Sequence, residues 1–259
     1  IVAKGVVDEL SKKLIGGRVE KIYQPESDEI SLLIRSLNNN YKLVLSASAN
    51  HPRIHLTEAV KENPASPPVF CMLLRKHLSG GKILSFEFND YERIIGIAIE
   101  SVKELGDISV KKLIIEIMGR HSNIILINSE DKIIDAIKHV DSDISSVREV
   151  MPARPYVLPP AQNKISPESL DTLSLINMID DSSQSAEKFL LNHIKGFSPL
   201  LCREVCVRAG LDPQAMVSSL SQAERSNLKQ AMDEIIQEII QNQYVPCIIF
   251  KMNSIKDLL

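Results

Sequence analysis

Glycine is scarce in this sequence, and its scarcity argues against two large classes of nucleotide-binding enzyme. Only 10 of the 259 residues are glycine, tryptophan is absent and aromatic residues make up 4 %. Neither the P-loop pattern GxxxxGK[ST] nor the dinucleotide pattern GxGxxG occurs. Both patterns need glycine where the backbone approaches a phosphate, so P-loop NTPases and Rossmann enzymes are disfavoured.

Long hydrophobic runs are also missing. Residues 94–99 form one of the longest apolar stretches, far below the roughly 18–20 residues that span a bilayer. No charged segment followed by an apolar one opens the chain, so no secretory leader is expected. The chain begins with Ile1 rather than Met, which predicts that residues precede it in the natural protein.

Cysteine is sparse, at Cys71, Cys202, Cys206 and Cys247. No second Cys or His pair stands near them at the spacing of zinc ligands, so we predict no metal and no cofactor. Their apolar neighbours predict reduced, buried thiols, which are typical of cytoplasmic proteins.

The sequence has no large excess of either charge. It contains 30 Lys and Arg residues and 33 Asp and Glu residues, for a net charge of -3. With 44 % apolar and 24 % charged residues, the composition is that of an ordinary globular protein. Residues 51–82 are locally basic. That segment is either a phosphate-binding face or a solvated surface, and charge alone leaves both readings open.

The hydrophobic pattern of the first part predicts a β-rich domain. We predict helices over residues 2–15 and 69–78, each ended by a Gly-Gly pair. Alternating apolar residues predict strands, listed here in order: 18–24, 29–37, 41–46, 53–56, 82–88, 93–102, 111–118, 123–127 and 132–138, with a turn at 38–40. These elements predict an α+β fold in which an antiparallel β-rich domain, residues 1–165, carries two flanking helices.

After a proline-rich stretch at residues 151–160 the pattern becomes helical. Helices are predicted over 166–178, 186–194, 199–209, 213–220 and 223–241, and they make up an all-α domain of residues 166–243. Gly196 followed by Ser198 and Pro199 is typical of a helix-hairpin-helix, which either holds a backbone phosphate or serves only packing. Residues 244–259 are predicted to hold a strand that returns to the first domain or leads into a further segment.

Two polar segments interrupt the predicted strands. The first, residues 89–93, contains Glu92 and Arg93; the second, residues 116–123, contains Arg120, His121 and Asn123. Each reads either as an ordinary hairpin turn or as a set of hydrogen-bonding groups offered to phosphates and bases. No His, Ser, Cys or Asp arrangement has the spacing of a catalytic triad, so no catalytic residue is predicted.

Four segments together resemble a known family. They are EIMGRHSNIIL at 116–126, PPVFCMLLRKHL at 67–78, YVLPPAQNK at 156–164 and FSPL at 197–200. They resemble the NFACT family of ribosome quality control proteins, which includes bacterial RqcH, also labelled fibronectin-binding protein A, and eukaryotic NEMF. The resemblance covers nearly the whole chain.

The resemblance implies both a fold and a function. The first domain would be similar to the N-terminal domain of formamidopyrimidine-DNA glycosylases, and the second would be a helix-hairpin-helix domain. The protein would be a non-enzymatic, cytoplasmic factor that binds tRNA and the large ribosomal subunit carrying a stalled peptidyl-tRNA. It would recruit alanyl-tRNA so that alanine is added to the stalled chain without a template.

The resemblance also implies which residues contact tRNA. The family's Asp-Arg pair falls on Glu92 and Arg93, with Glu in place of Asp, and its second patch falls on Glu116, Ile117 and Met118. Further candidate RNA contacts follow from their charge or polarity: Arg53, Arg75, Arg120, His121 and Asn123.

Two other functions compete with this one. The older family label suggests a surface adhesin that binds fibronectin, although the sequence has no visible repeats or membrane anchor. The glycosylase-like fold suggests a DNA glycosylase by analogy only. Those enzymes open with a Pro-Glu pair, and this chain opens Ile1-Val2-Ala3-Lys4, so the glycosylase is the weaker alternative.

Overall fold

The computed structural model describes residues 1–102, 108–245, 248–251 and 254–258. The chain divides into two compact units, one of residues 2–161 and the other of Ile1 with residues 162–259. No helix in the described part of the chain is long and apolar enough to cross a membrane.

The first unit is built on one nine-stranded sheet whose strands run antiparallel to their neighbours. Its order is β4-β3-β2-β1-β5-β6-β7-β8-β9. The strands are β1 (Arg18–Glu26), β2 (Glu29–Ser36), β3 (Asn39–Ser46), β4 (Arg53–Leu56), β5 (Lys82–Phe88), β6 (Ile94–Val102), β7 (Ile108–Glu116), β8 (Asn123–Ile127) and β9 (Ile133–Ala136). The predicted α+β fold with an antiparallel sheet is confirmed.

Two helices flank the sheet, α1 (Val2–Leu14) and α2 (Val69–Leu78). Gly16, with a φ of 83°, ends α1 in the left-handed conformation that favours glycine. The main core is formed by the inward-facing residues of strands β1–β4 and β5–β8, which pack against one face of each helix. Because one cluster draws on both halves, the sheet curls round a shared core, and β3 lies close to β8.

Strands β6, β7 and β8 are buried on both faces, which explains their nearly continuous isoleucine. Alternate residues such as Ile95 and Ile115 point into the main core. Their neighbours, including Ile94 and Ile114, form a second cluster with Val150 on the opposite face. The segment that follows β9 therefore covers the outer face of these strands.

The second unit is helical. Its helices are α3 (Thr172–Asn177), α4 (Ala186–His193), α5 (Pro199–Arg208) and α6 (Gln222–Ile240). Ser221 and Glu224 form a reciprocal capping box at the start of α6. The predicted helix over 166–178 is divided, since only a short 3-10 turn at Pro167–Ser169 precedes α3.

The predicted helix over 213–220 was wrong, because only a 3-10 turn at Val217–Ser219 forms there. The predicted strand near the C-terminus is present as β10 (Ile248–Lys251), which pairs antiparallel with β11 (Ser254–Leu258). The prediction of a buried thiol at Cys247 lies outside the described residues, whereas Cys71, Cys202 and Cys206 are free and buried as predicted.

Candidate nucleic-acid interface

A tight turn between β5 and β6 carries the first predicted contact pair. Glu92 N donates to Asn89 O at 2.8 Å, which closes the turn. Its two central residues, Asp90 and Tyr91, have φ values of 41° and 56°, the pattern of a type I′ hairpin turn. Neither is glycine, so the turn holds about 1–2 kcal/mol of backbone strain at each position.

Packing around Tyr91 offsets that strain. The Tyr91 side chain is buried, and its ring meets Phe88 edge to face with centroids 5.8 Å apart. Lys4 Nζ, from α1, donates to Tyr91 Oη at 3.3 Å. A buried and hydrogen-bonded tyrosine at the centre of the turn fixes its conformation, so the residues that follow leave it in a defined direction.

The two predicted tRNA-binding patches lie side by side. Ile117 N donates to Arg93 O at 2.8 Å, and Ile94 stands opposite Glu116 in the β6–β7 register. The sequence separates these patches by more than twenty residues, but the antiparallel pairing joins their backbones. They lie at one end of the internal β6–β7 pair. We call this surface, which comprises Glu92, Arg93, Ile117 and Met118, the Arg93 edge.

Side-chain exposure differs sharply along this region. Arg93 is exposed, and no described residue pairs with or accepts a hydrogen bond from its guanidinium. Glu92, Ile117 and Met118 are half-buried. The Arg93 side chain therefore presents all five of its N–H donors to solvent, in the planar fork that suits phosphate oxygens and base edges.

Glu116 is the exception, because its side chain is wholly buried. One carboxylate oxygen accepts a short hydrogen bond from Arg148, and the other accepts from Tyr156 Oη at 2.8 Å. Burial and the Glu116 charge both raise the pKa of Tyr156, which keeps the phenol protonated as a donor. The Glu116 side chain is thus used inside the protein, where it braces the end of β7.

Arg148 and Tyr156 belong to this site, although sequence reasoning did not single them out as functional residues. Arg148 also donates to Val157 O at 2.7 Å, and its guanidinium lies 5.9 Å from the Tyr156 ring centroid. Tyr156 lies in one of the segments that carry the family resemblance, which was the only available signal. Nothing in the local sequence around Arg148 links it to a residue 32 positions earlier.

The loop after β7 holds the second group of candidates. Gly119 has a φ of 57° and opens a 3-10 turn, Gly119–His121. The loop is closed by Met118 N, which donates to Ser122 Oγ at 2.8 Å. Arg120 and His121 are both exposed, and Arg120 Nε donates to His121 Nε2 at 3.0 Å. This loop therefore presents a second arginine to solvent.

Asn123 lies at the start of β8, and its side chain is committed to the backbone. Its amide group donates to Lys138 O at 2.8 Å and accepts from Lys138 N at 3.1 Å. The residue is 3 % exposed. The structure therefore uses Asn123 to fasten the segment after β9, and its amide is not presented to solvent.

The remaining two candidates lie on other elements. Arg53, on β4, donates to the buried carboxylate of Glu29 at 3.1 Å. Arg75, on α2, donates to Ile22 O at 2.8 Å, and its guanidinium lies 5.8 Å from the Tyr23 ring centroid. Both keep further donors available, since each arginine has five.

Fold and site together describe a two-unit α+β protein that displays an unpaired arginine at the braced end of its β6–β7 pair. The family model for the NFACT N-terminal and middle domains matches residues 1–258. The chain therefore belongs to the NFACT family.

Two curated relatives and one solved structure show the range of this family. The chain is 40 % identical over 243 residues to "Rqc2 homolog RqcH" of Bacillus subtilis, covering 93 % of this chain and 41 % of that protein. It is 27 % identical over 216 residues to "Ribosome quality control complex subunit NEMF" of Mus musculus, covering 83 % of this chain and 19 % of that protein. It therefore spans about two fifths of the bacterial relative and one fifth of the mouse relative.

The solved structure is the N-terminal part of the fibronectin/fibrinogen-binding protein from Streptococcus suis. It aligns with a TM-score of 0.74 and 34 % identity over 89 % of this chain and 82 % of that one. A Lactococcus lactis Fpg structure aligns at a TM-score of 0.43 and 15 % identity, too distant to establish the glycosylase resemblance. The helix-hairpin-helix domain predicted for residues 166–243 is not found in the described part of this chain. The described residues of the second unit form helices α3–α6 and the short β10–β11 sheet.

Proposed function

We propose that this chain is the N-terminal part of a ribosome quality control factor and that its β-rich unit binds tRNA. In this proposal the protein works in the cytoplasm on the large ribosomal subunit that carries a stalled peptidyl-tRNA. It recruits alanyl-tRNA for untemplated C-terminal alanine addition. The names of the relatives, RqcH and NEMF, support the ribosome quality control role.

The exposed guanidinium of Arg93 is the observation that carries the RNA-binding part. It has no partner among the described residues, although arginines elsewhere in the same unit, such as Arg53 and Arg148, are paired with carboxylates. An unpaired arginine on a fixed turn is ready to donate to an RNA phosphate or base edge with little reorganisation.

The neighbours of Arg93 extend this contact. Ile117 and Met118 give the edge an apolar surface that suits a base or a ribose, and Glu92 adds a carboxylate that can accept from a ribose hydroxyl or a base amine. Arg120 and His121 supply further donors from the next loop. Glu116 contributes by holding the end of β7 through Arg148 and Tyr156.

We further propose that the protein is not an enzyme and needs no cofactor. The described residues at the Arg93 edge offer hydrogen-bonding and stacking groups. The ribosome would supply the peptidyl-transfer chemistry, and this protein would position the tRNA.

The Arg93→Ala variant tests this function in the full-length protein. We expect tRNA co-purification and alanine tailing to fall by about tenfold or more, as loss of a charged hydrogen bond implies. The logarithmic salt dependence of tRNA binding should weaken by about one unit if Arg93 contacts a phosphate. Arg154→Ala is the matched control, because Arg154 is exposed and paired with Glu149 in the same unit. Unchanged tRNA recovery and tailing in Arg93→Ala would contradict the assignment.

A second candidate function is supported by the solved relative, whose name describes a fibronectin/fibrinogen-binding protein. Surface proteolysis of intact cells distinguishes the two. Protection of the protein supports the ribosomal role, and cleavage, together with binding to immobilised fibronectin, supports adhesion. The glycosylase alternative is tested by incubating the native-length protein with lesion-bearing duplex DNA, where base release would support it.

A further inference from the structure

A cleft of about 280 Å³ lies on the face of β1–β4 that points away from the main core. Its floor comes from alternate residues of neighbouring strands: the core-facing residues of β2 are Ile30, Leu32 and Ile34, whereas Glu29 and Ser31 face the cleft. Residues 57–63 form one wall. The cleft is close in size to the smaller pockets that bind small molecules.

Three cationic side chains line this cleft, namely Lys42, Arg53 and Lys61. Glu29 is the one carboxylate in its lining, and that side chain is only 4 % exposed. Glu29 accepts from Arg53 at 3.1 Å and from Lys61 at 3.0 Å. A buried carboxylate thus holds two cations at the cleft, and Lys61 is further neutralised by an ion pair with Glu26.

Lys42 differs from the other two cations. Its Nζ donates to Ala59 O at 2.8 Å, and no carboxylate of the described residues lies within ion-pair distance of it. Two of its N–H groups remain available. An ammonium that faces a cleft without a counter-ion attracts an anion. Arg53 lines the same cleft and keeps unused donors, but it stands opposite Ser46, four residues along β3 from Lys42.

Two further groups suit a ligand larger than a simple ion. His55 Nδ1 is buried and has no hydrogen-bond partner among the described residues. Burial and the nearby Arg53 charge lower the pKa of His55, so its ring is neutral and able to accept or donate. Tyr23 lines the same cleft and offers an aromatic edge or face.

We propose that this cleft is a phosphate-binding site for a nucleotide, with Lys42 as the group that contacts the phosphate and Arg53 as a second cation farther along the cleft. His55 and Tyr23 contact the sugar or base. The phosphate comes either from a free mononucleotide or from a nucleotide of an RNA strand. The proposal does not depend on tRNA binding at the Arg93 edge.

Calorimetric titration of the chain tests the site, with inorganic phosphate, AMP and adenosine as probes. Binding of AMP and phosphate, with adenosine at least tenfold weaker than AMP, is the expected result because the cations recognise the phosphate. Lys42→Gln should weaken AMP binding by about tenfold or more. Lys132→Gln, an exposed lysine paired with Glu130, is the matched control and should leave binding unchanged.

The His55→Gln variant gives a second test of nucleotide binding, and this substitution breaks no ion pair. It should weaken AMP more than inorganic phosphate, because His55 contacts the part of the nucleotide beyond the phosphate. The His55 ring resonances should shift when AMP is added to the native chain.

A single-stranded RNA of twelve nucleotides distinguishes the two sources of the phosphate. Loss of RNA affinity in Lys42→Gln, measured in an Arg93→Ala background, identifies an RNA nucleotide as the ligand. A loss confined to AMP identifies a free nucleotide. The proposal is overturned if AMP and RNA bind equally well to the native chain and Lys42→Gln, or if neither binds. Failure of the tRNA proposal is recognised separately, since it is measured by Arg93→Ala with the cleft intact.

Discussion

Removing Arg148 should destabilise the β-rich unit more than removing the charge of its partner. Arg148→Met leaves the Glu116 carboxylate, which is 0 % exposed, with Tyr156 alone. An uncompensated buried charge costs about 3–5 kcal/mol in the free energy of unfolding. Glu116→Gln removes that charge and keeps an acceptor for Tyr156, while Arg148 stays 15 % exposed and bonded to Val157 O. Its cost should be about 1–3 kcal/mol.

The double variant measures the coupling between Glu116 and Arg148. Glu116→Gln with Arg148→Met leaves no buried charge, so its cost should fall well below the sum of the single changes, by about 2 kcal/mol. Urea unfolding followed by far-UV circular dichroism measures all three. Hydrogen exchange of the β7 and β8 amides assigns the effect to this unit, because the chain has two units and its unfolding is not assumed to be two-state.

The matched control is Arg154→Met, which breaks an exposed ion pair with Glu149. Exposed pairs contribute about 0–1 kcal/mol. A buried Glu116–Arg148 pair is refuted as the source of this stability if Arg148→Met costs no more than Arg154→Met, or if the single changes at Glu116 and Arg148 are additive.

Three further predictions concern the rest of the fold. Gly81→Ala should lower the free energy of unfolding by about 1–3 kcal/mol in urea titrations, because a Cβ there would lie 2.7 Å from Ile99 Cγ2. Ser198→Ala should cost about 1 kcal/mol of helical-unit stability, read from amide exchange in α5, since its side chain accepts the capping N–H at 3.2 Å. Burial raises the pKa of Cys202 to about 12 and of Cys206 to about 11, from 9.0. Between pH 9 and 11 these two thiols therefore bind more protons in the native state than in the unfolded state, so their contribution to stability should be constant below about pH 8 and decline above pH 9. The double Cys→Ala variant should show a smaller decline in the same urea series.

Local patterns in the sequence were enough to predict most of the sheet and both helices of the first unit. The helix over 2–15 and its glycine end follow from periodicity and from the backbone freedom of glycine, and α1 ends at Leu14. The hairpin turn predicted at 38–40 is displaced by one residue. Leu37 and Asn38 take the positive φ values, at 46° and 66°, so an exposed leucine occupies a place where asparagine was expected.

Long-range contacts decided what local patterns could not. Residues 213–220 have helical spacing, but backbone bonds with Gln184 and Glu187 tie this segment to the start of α4 and leave room for one 3-10 turn. The resemblance placed Glu116 among the contact residues. Its burial depends on Arg148 and Tyr156, which the chain brings back across the sheet only after β9. Periodicity within one strand carries no information about such a partner.

The hydrogen bond from Ile117 N to Arg93 O makes the Arg93 edge a preorganised binding surface. The two loops at the Arg93 edge share a backbone link, so neither can be rearranged without disturbing the other. A bound strand would therefore order few new degrees of freedom in the protein, and the entropic cost of association would fall mainly on the ligand. Substitutions in the two loops should therefore be energetically coupled, so that their effects on ligand affinity do not add.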